Sequence, residues 1–436
     1  MVTRNTLNLP LIAVLSFAAF TLSLYHFGPI DWVSPNRYIF TVLIFIYYAS
    51  FLFGYKLSDS NAKPSKFTLS KKIVMIGFIL NLITIVPSIY SYTGRLPWDL
   101  TIYTQSAGEN YSEFYTHIIS RDTQSGFRYI QAIARAVAQP VITAGFIVGA
   151  FYFPKLTRQQ KAALVASVFL QFIMSRARGT DKEIADMLIL IGIPLLIANH
   201  KKIFRPKILA TIACVLLLFF VSFSNRRVSR YGEIVPECFS YAEICLQKDS
   251  LPRRILGDTY GFGVIIFSAY LSQGYQGFSL ALDLPHQLTY GVGHSPALTR
   301  LTESVLGVDI HTSTFNYRLR ALGWDERYVW PTMFTWAAND LTFYGIPLLM
   351  LFFGYVMAHS WKDILFEQND VSLIIFTLIT ASMLYASANN LLGSGLDMTF
   401  TWMFWLLIWI RNHIRMQHSI DIAHLKPVDV KASLKY

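Results

Sequence analysis

Long apolar stretches separated by short polar turns recur along most of the chain. Ten of them approach the ~20 residues that a helix needs to cross the hydrocarbon core of a bilayer. Within lipid, only a helix satisfies all the backbone hydrogen-bonding groups of such a segment. The ten stretches lie near 8–26, 38–57, 73–92, 129–152, 160–176, 184–199, 208–224, 341–359, 371–388 and 396–411. The pattern therefore predicts an all-α polytopic membrane protein.

The composition agrees with this prediction. Of the 436 residues, 53% are hydrophobic and 14% are charged, whereas a soluble domain carries about 25% charged residues. The net charge of +11 would suggest nucleic acid as a partner of a soluble protein. Here lysine-rich turns account for much of it, and we expect membrane lipids but no nucleic acid as partners.

Four basic segments orient the predicted helices. Because cytoplasmic loops carry an excess of Lys and Arg, these segments predict that both termini are cytoplasmic. The chain then divides into helices 1–7 (1–224), a long outer loop (225–340), helices 8–10 (341–411) and a tail (412–436). The basic residues that orient it are Lys56, Lys63, Lys66, Lys71, Lys72; Lys155, Arg158, Lys161; Lys201, Lys202, Arg205, Lys207; and Arg411, Arg415, Lys426, Lys431, Lys435.

The outer loop 225–340 is too long to lack structure of its own. Its stretch 261–282 is apolar but interrupted by Gly, Ser and Gln, which predicts an amphipathic or re-entrant segment rather than a further crossing. Cys238 and Cys245 also lie in this loop. A compartment outside the cytoplasm permits a disulfide between them, and two free thiols are the alternative.

Arginines concentrate on the predicted outer side, where the charge rule would not place them. SRARGTDKE (175–183) carries Arg176 and Arg178, and NRRVSRYGE carries Arg226, Arg227 and Arg230. The planar guanidinium binds phosphate through two hydrogen bonds and stays charged. These five arginines therefore predict a pyrophosphate clamp. The further outer arginines are Arg253, Arg254, Arg300, Arg318, Arg320 and Arg327.

Two other interpretations of these arginines remain open. They could pair with Asp181, Glu183 and Glu233, or with lipid phosphates. Arg135 falls inside the fourth predicted helix, where an ionisable side chain is a candidate for function. It joins the predicted pyrophosphate-binding set, although it could also extend to the interface.

Transfer of a group to a hydroxyl would need a general base. The outer histidines are His286, His294 and His311. His294 has glycines before it and a proline after it in TYGVGHSPALTRL, so the backbone can approach a ligand closely there. We predict His294 and Arg178 as the catalytic pair, a solvated loop histidine being the alternative. Asp181 and Glu183 could bind a cation, but they stand beside arginines that they can neutralise, and no metal is predicted.

Three features together resemble the O-antigen polymerase family of Wzy-type oligosaccharide repeat-unit polymerases. The layout of about ten helices with one large outer loop in the second half is similar, and SRARG (175–179) lies between two helices as in that family. The third feature is WPTMFTWAANDLTFYGIPLLMLFFGY (330–355), with Asp340, Phe343 and Gly345. TYGVGHSPAL (289–298) is also similar to an outer-loop stretch. One departure is that Leu341 and Thr342 separate Asp340 from the aromatic residue.

The resemblance implies a glycosyltransferase of GT-C-like architecture in the bacterial inner membrane, active at the periplasmic face. Its donor would be a growing O-antigen glycan on undecaprenyl pyrophosphate. Its acceptor would be a hydroxyl of a second lipid-linked repeat unit. No cofactor is implied, and a chain-length regulator is an expected protein partner. The alternatives are an O-antigen ligase and a transporter or flippase of lipid-linked oligosaccharides.

Overall fold

The computed structural model describes residues 4–58, 64–119, 126–203, 205–231, 238–239, 244–245, 250–326 and 328–425. The protein is predominantly α-helical, and within these residues seven helices are long and apolar enough to cross a membrane. They are Thr6–Phe27, Arg37–Leu57, Lys72–Thr93, Ile130–Phe151, Pro206–Arg230, Leu251–Ala281 and Met333–Glu367. This confirms the prediction of a helical protein embedded in a membrane.

The described part of the chain contains fifteen α-helices, four short 3-10 helices and one short hairpin. The first nine helices are α1 (Arg4–Phe27), α2 (Arg37–Leu57), α3 (Lys72–Thr93), α4 (Thr101–Thr104), α5 (Ala107–Ile119), α6 (Gly126–Phe151), α7 (Arg158–Arg178), α8 (Lys182–Ala198) and α9 (Pro206–Tyr231). After them come β1 (Cys238–Phe239), β2 (Ile244–Cys245), α10 (Leu251–Ala281), α11 (Pro296–Leu306), α12 (Phe315–Arg318), α13 (Met333–Glu367), α14 (Asp370–Tyr385) and α15 (Leu396–Leu425).

The antiparallel hairpin places the backbone of Cys238 opposite that of Cys245. Whether a disulfide joins them concerns side chains outside the described part of the chain. Arg327 and Glu233 also lie outside the described residues.

The basic turns meet at one end of the helices, which we call the Asp363 end. Ser65 donates its backbone N–H to Asp363 at 2.7 Å, and Gln160 donates to the Lys71 carbonyl at 3.1 Å. His413 of α15 also reaches Asp363, at 3.1 Å. The segments 64–72, 155–161 and 411–414 are therefore neighbours, as an alternating arrangement of helices requires.

The opposite end, which we call the Arg178 end, collects the other turns. Arg135 near the start of α6 approaches Asp397 at the start of α15 at 3.3 Å. Tyr385 at the end of α14 donates its hydroxyl to Asp186 near the start of α8 at 2.8 Å. The two ends are thus separated by the lengths of α6, α8, α14 and α15.

Helix α10 contains the stretch that the sequence predicts to be amphipathic or re-entrant. Leu271 accepts a hydrogen bond from Ser387 at 2.7 Å, and Ser279 accepts one from Ser34 at 2.6 Å. The Tyr270 ring stacks on Arg227. All three partners belong to the Arg178 end, so this half of α10 runs along that end. By length and composition, the helix is also long and apolar enough to cross a membrane.

Close packing of α2 against α13 depends on two glycines. A Cβ atom added to Gly54 would stand 2.0 Å from the Leu351 carbonyl oxygen, and one added to Gly354 would stand 2.1 Å from that of Phe51. Small residues let helix backbones approach in lipid, where van der Waals packing replaces the hydrophobic effect as the source of association. Helix α13 breaks at Thr342, whose φ of 57° is non-helical. The arm 333–341 therefore turns away and stays at the Arg178 end.

Candidate functional site

The SRARG segment ends α7 in a tight turn. Gly179 terminates the helix with φ of 59°, a left-handed conformation that favours glycine. A Cβ atom at this position would also lie 2.4 Å from the Ala107 carbonyl oxygen. The turn Gly179–Thr180–Asp181 leads directly into α8 at Lys182. Glycine is therefore required here by backbone conformation and by the contact with α5.

Arginines from α9 close around this turn. Arg226 donates to the Thr180 carbonyl at 2.9 Å, and its guanidinium lies 3.4 Å from an Asp181 oxygen. Arg227 lies 3.6 Å from the other Asp181 oxygen, and Arg230 donates to the Gly179 carbonyl. Arg226, Arg227 and Asp181 are all buried. The structure thus brings the two arginine-rich segments together, and the α9 arginines bind the turn itself.

Aromatic rings and backbone carbonyls occupy the remaining faces of these arginines. Arg227 stacks over Tyr270 at 4.5 Å from the ring centre, and Arg230 stacks over Tyr111 at 4.3 Å. Arg176 donates to the Gln105 carbonyl at 2.6 Å. Burial raises the pKa of Asp181 even though Arg227 and Arg226 lower it. A buried network of this kind fixes the turn, because removing one member would leave its partner uncompensated.

A cavity of about 640 Å³ lies beside the turn, at the Arg178 end. Of the predicted site residues, Arg178 and Arg135 line it, whereas Arg176, Arg226, Arg227, Arg230 and His294 do not. Its walls come from α6, α7, α8, the segment 296–336 and the start of α15. The charged side chains of its lining are Arg135, Arg178, Lys182, Arg300 and Arg320 with Glu183, Asp186, Glu326 and Asp397.

Most of these cations have an acidic partner. Arg178 pairs with Glu183 and also stacks on Tyr92 and Phe114, 4.9 and 4.6 Å from the ring centres. Lys182 pairs with Asp186 at 2.6 Å. Because each of these pairs contains one positive and one negative side chain, the lining of the cavity is polar but not strongly cationic.

Arg135 and Arg300 differ in the partners that their guanidinium groups have. Arg135 donates to Ser88 at 3.1 Å and forms an ion pair with Asp397 at 3.3 Å. Arg300, on α11, is exposed to the cavity and has no acidic or hydrogen-bonding partner among the described residues. Arg300 is therefore the cation most ready to receive an anionic ligand.

His311 lies in the cavity next to an acidic group. Its Nε2 is 3.3 Å from a Glu326 oxygen, and Arg320 donates to the other Glu326 oxygen at 2.8 Å. Burial raises the pKa of Glu326, but the hydrogen bonds from His311 and Arg320 outweigh it and hold that pKa below its usual range. The ionised carboxylate therefore orients the imidazole, an arrangement that suits proton transfer.

His294 instead belongs to a turn outside the cavity lining. Its Nδ1 and backbone N–H both contact Asp340 at 2.8 Å, and Thr289 donates to the same carboxylate at 2.6 Å. Asp340 therefore holds together the turn 289–294. Of these two histidines, His311 lines the cavity and His294 does not.

The sequence does not predict that 311–336 forms part of a cavity, although the stretch 330–355 that resembles the polymerase family contains Trp330 and Trp336. Glu326, Trp330 and Trp336 line it, and the indole N–H of Trp336 is buried with no partner in the described part of the chain. His311 and Arg300 do appear among the outer residues noted in the sequence. The clustering of charged and aromatic residues in 311–336 is the signal that could have marked it. Comparison with protein-family models, curated proteins and solved structures finds no match to this chain.

Proposed function

We propose that this protein is a glycosyltransferase that polymerises lipid-linked O-antigen or related repeat units. It would act at the periplasmic face of the bacterial inner membrane, with both termini in the cytoplasm. The observation that carries the proposal is the cavity of about 640 Å³ at the arginine-rich end. Its volume falls within the 300–1,000 Å³ typical of small-ligand pockets.

The lining suits an oligosaccharide joined to a pyrophosphate. Trp330, Trp336 and Tyr92 provide aromatic surface, against which the C–H faces of sugar rings can pack. Arg178, Arg135 and Arg300 provide cations for the pyrophosphate. Arg300 is exposed in this lining, and an anionic ligand would give it a partner.

In the proposed reaction, an acceptor hydroxyl attacks the anomeric carbon of the donor glycan. His311 takes the proton of that hydroxyl, and Glu326 stabilises the imidazolium that forms, as an oriented carboxylate can. The bond from the anomeric carbon to the pyrophosphate oxygen breaks, and undecaprenyl pyrophosphate leaves. Arg178, Arg135 and Arg300 stabilise the negative charge that develops on the leaving group. The proposal requires no nucleotide, cofactor or metal in this cavity.

The proposal includes ten membrane crossings in a GT-C-like arrangement. They are α1, α2, α3, α6, α7, α8, α9, the part of α13 after Thr342, α14 and α15. Helix α10 lies along the Arg178 end and does not cross. With this count, the lysine-rich Asp363 end would lie in the cytoplasm, as the charge rule expects, and the cavity would lie outside.

The glycan ladder of a strain that lacks this protein tests the proposal. We expect the long chains to disappear and single repeat units to remain on the lipid A core, because transfer to the core does not need polymerisation. Re-expression of the gene should restore the ladder.

Two other outcomes of the same experiment would contradict a polymerase. An unmodified lipid A core with intact polymer on carrier lipid would indicate a ligase. Accumulation of lipid-linked single repeats on the cytoplasmic face would indicate a flippase.

A further inference from the structure

A second cluster of chemistry-bearing side chains lies at the Asp363 end, away from the cavity. His359 and Asp363 are one turn apart on α13, and His413 reaches them from α15. The His359 Nε2 lies 4.0 Å from Asp363 Oδ1, and the His413 Nε2 lies 3.1 Å from Asp363 Oδ2. One ligand atom from each of the three residues lies within 4.8 Å of the others.

Asp363 is held in place by hydrogen bonds from two other segments. The carboxylate has no exposed surface. It accepts from the backbone N–H of Ser65 at 2.7 Å and the Ser65 hydroxyl at 3.1 Å. Ser372 donates its hydroxyl at 2.6 Å. These donors fix the orientation of the carboxylate, as partners of metal-binding carboxylates do.

The hydrogen bonds of His413 identify which of its nitrogens is available. Its Nδ1 lies 2.7 Å from the carbonyl oxygen of Trp409. A carbonyl only accepts, so Nδ1 carries a proton, and in a neutral ring Nε2 then presents its lone pair. That lone pair faces the Asp363 carboxylate, which is also an acceptor, and the Ser65 hydroxyl, 3.4 Å away, donates its single proton to Asp363. A cation between the two groups, either a proton or a metal ion, would replace the repulsion between these two acceptors with attraction.

The surroundings of the buried His359 side chain favour a metal ion over a proton alone. Its residue exposure is 6%, and neither ring nitrogen has a hydrogen-bond partner among the described residues. Its ring centre is only 4.4 Å from that of His413, so two positively charged rings would repel each other. A buried polar group without a partner costs free energy, and a metal ion would bind its lone pair.

We propose that His359, Asp363 and His413 bind one divalent transition-metal ion of the Zn²⁺ class. Two imidazole nitrogens and one carboxylate oxygen suit Zn²⁺ and its neighbours, whereas Mg²⁺ and Ca²⁺ prefer oxygen ligands. The Nδ1–H of His413 on a backbone carbonyl is the usual support of a histidine ligand. The ion would join α13 to α15, with Ser65 and Ser372 around it. This site is independent of the proposed glycosyl transfer.

Metal analysis of the purified full-length protein tests this site. We expect about one Zn²⁺ per chain, as a single three-residue site binds one ion, and near-background metal in His359→Gln, Asp363→Asn and His413→Gln. His200→Gln is the matched control, since His200 lies at the same end but contacts the Ile197 carbonyl. This control should keep its metal.

A second measurement does not depend on how well the variants fold. Wild-type protein stripped with a chelator should gain thermal stability on addition of Zn²⁺ but not of Mg²⁺. Co²⁺ should give the visible absorption of a nitrogen- and oxygen-bound ion. Metal at background in wild type, together with a Tm that Zn²⁺ does not change, would overturn the proposal and leave a protonated His413 paired with Asp363.

Discussion

Replacing His311 with glutamine should slow polymerisation by about 10²- to 10⁴-fold, the range that a general base contributes. His311 lines the cavity, and the Glu326 carboxylate 3.3 Å from its Nε2 can stabilise the protonated ring. Glutamine keeps a polar group of similar length but cannot take the proton of an acceptor hydroxyl. The measurement is the rate of glycan elongation by purified protein on lipid-linked repeat units, divided by the amount of folded protein.

His294→Gln is the matched control for this change. His294 is a partly exposed histidine at the same end, but its Nδ1 contacts Asp340. Its side chain does not line the cavity. Its replacement should lower stability and leave the elongation rate per folded molecule within a few-fold. A His311→Gln protein that elongates at the wild-type rate would remove His311 as the base, and a large loss in His294→Gln would restore the assignment that the sequence favours.

Arg178→Ala should abolish long chains while lipid-linked single repeats remain. Loss of one preorganised group that stabilises developing charge costs about 10²- to 10³-fold in rate. Arg178 is positioned for this role by Glu183 and by the rings of Tyr92 and Phe114. Wild-type ladder length in this variant would contradict a role for Arg178 at the pyrophosphate.

Two further variants separate this effect from misfolding. In Arg178→Ala, the buried Glu183 loses its ion pair, which is destabilising in itself. The double variant Arg178→Gln, Glu183→Gln removes both charges together and should fold but still fail to polymerise. Arg226→Met removes a buried α9 arginine that contacts the turn but does not line the cavity. It should reduce protein yield and Tm but keep ladder length per folded molecule.

The sequence predicts the helical architecture well because the membrane imposes it. Apolar length and basic turns reveal the helices, and the basic segments do meet at one end, as the Ser65 and His413 contacts to Asp363 show. Helix α13 starts at Met333 rather than near 341. The predicted start coincides with the break at Thr342, because the arm before it, MFTWAANDL, is a short buried helix that does not reach the length of a membrane crossing.

The functional site is harder to predict from the sequence than the helices are. The pattern of charged residues shows which end of the molecule they occupy, but it does not show which partner each side chain has. Arg226, Arg227 and Arg230 stand out in the sequence, yet the turn around Asp181 engages all three. His294 and His311 have similar local chemistry. They differ in their long-range contacts: His294 bonds to Asp340, whereas His311 lines the cavity. These contacts depend on the fold and cannot be inferred from the local sequence.

Glycosyl transfer can be measured with the purified protein and synthetic polyprenyl-pyrophosphate-linked repeat units. We expect glycans of two or more repeats on the lipid, with one polyprenyl pyrophosphate released for each linkage formed. Repeat units that stay unjoined in the presence of folded protein, with no polyprenyl pyrophosphate released, would contradict the proposed glycosyl transfer.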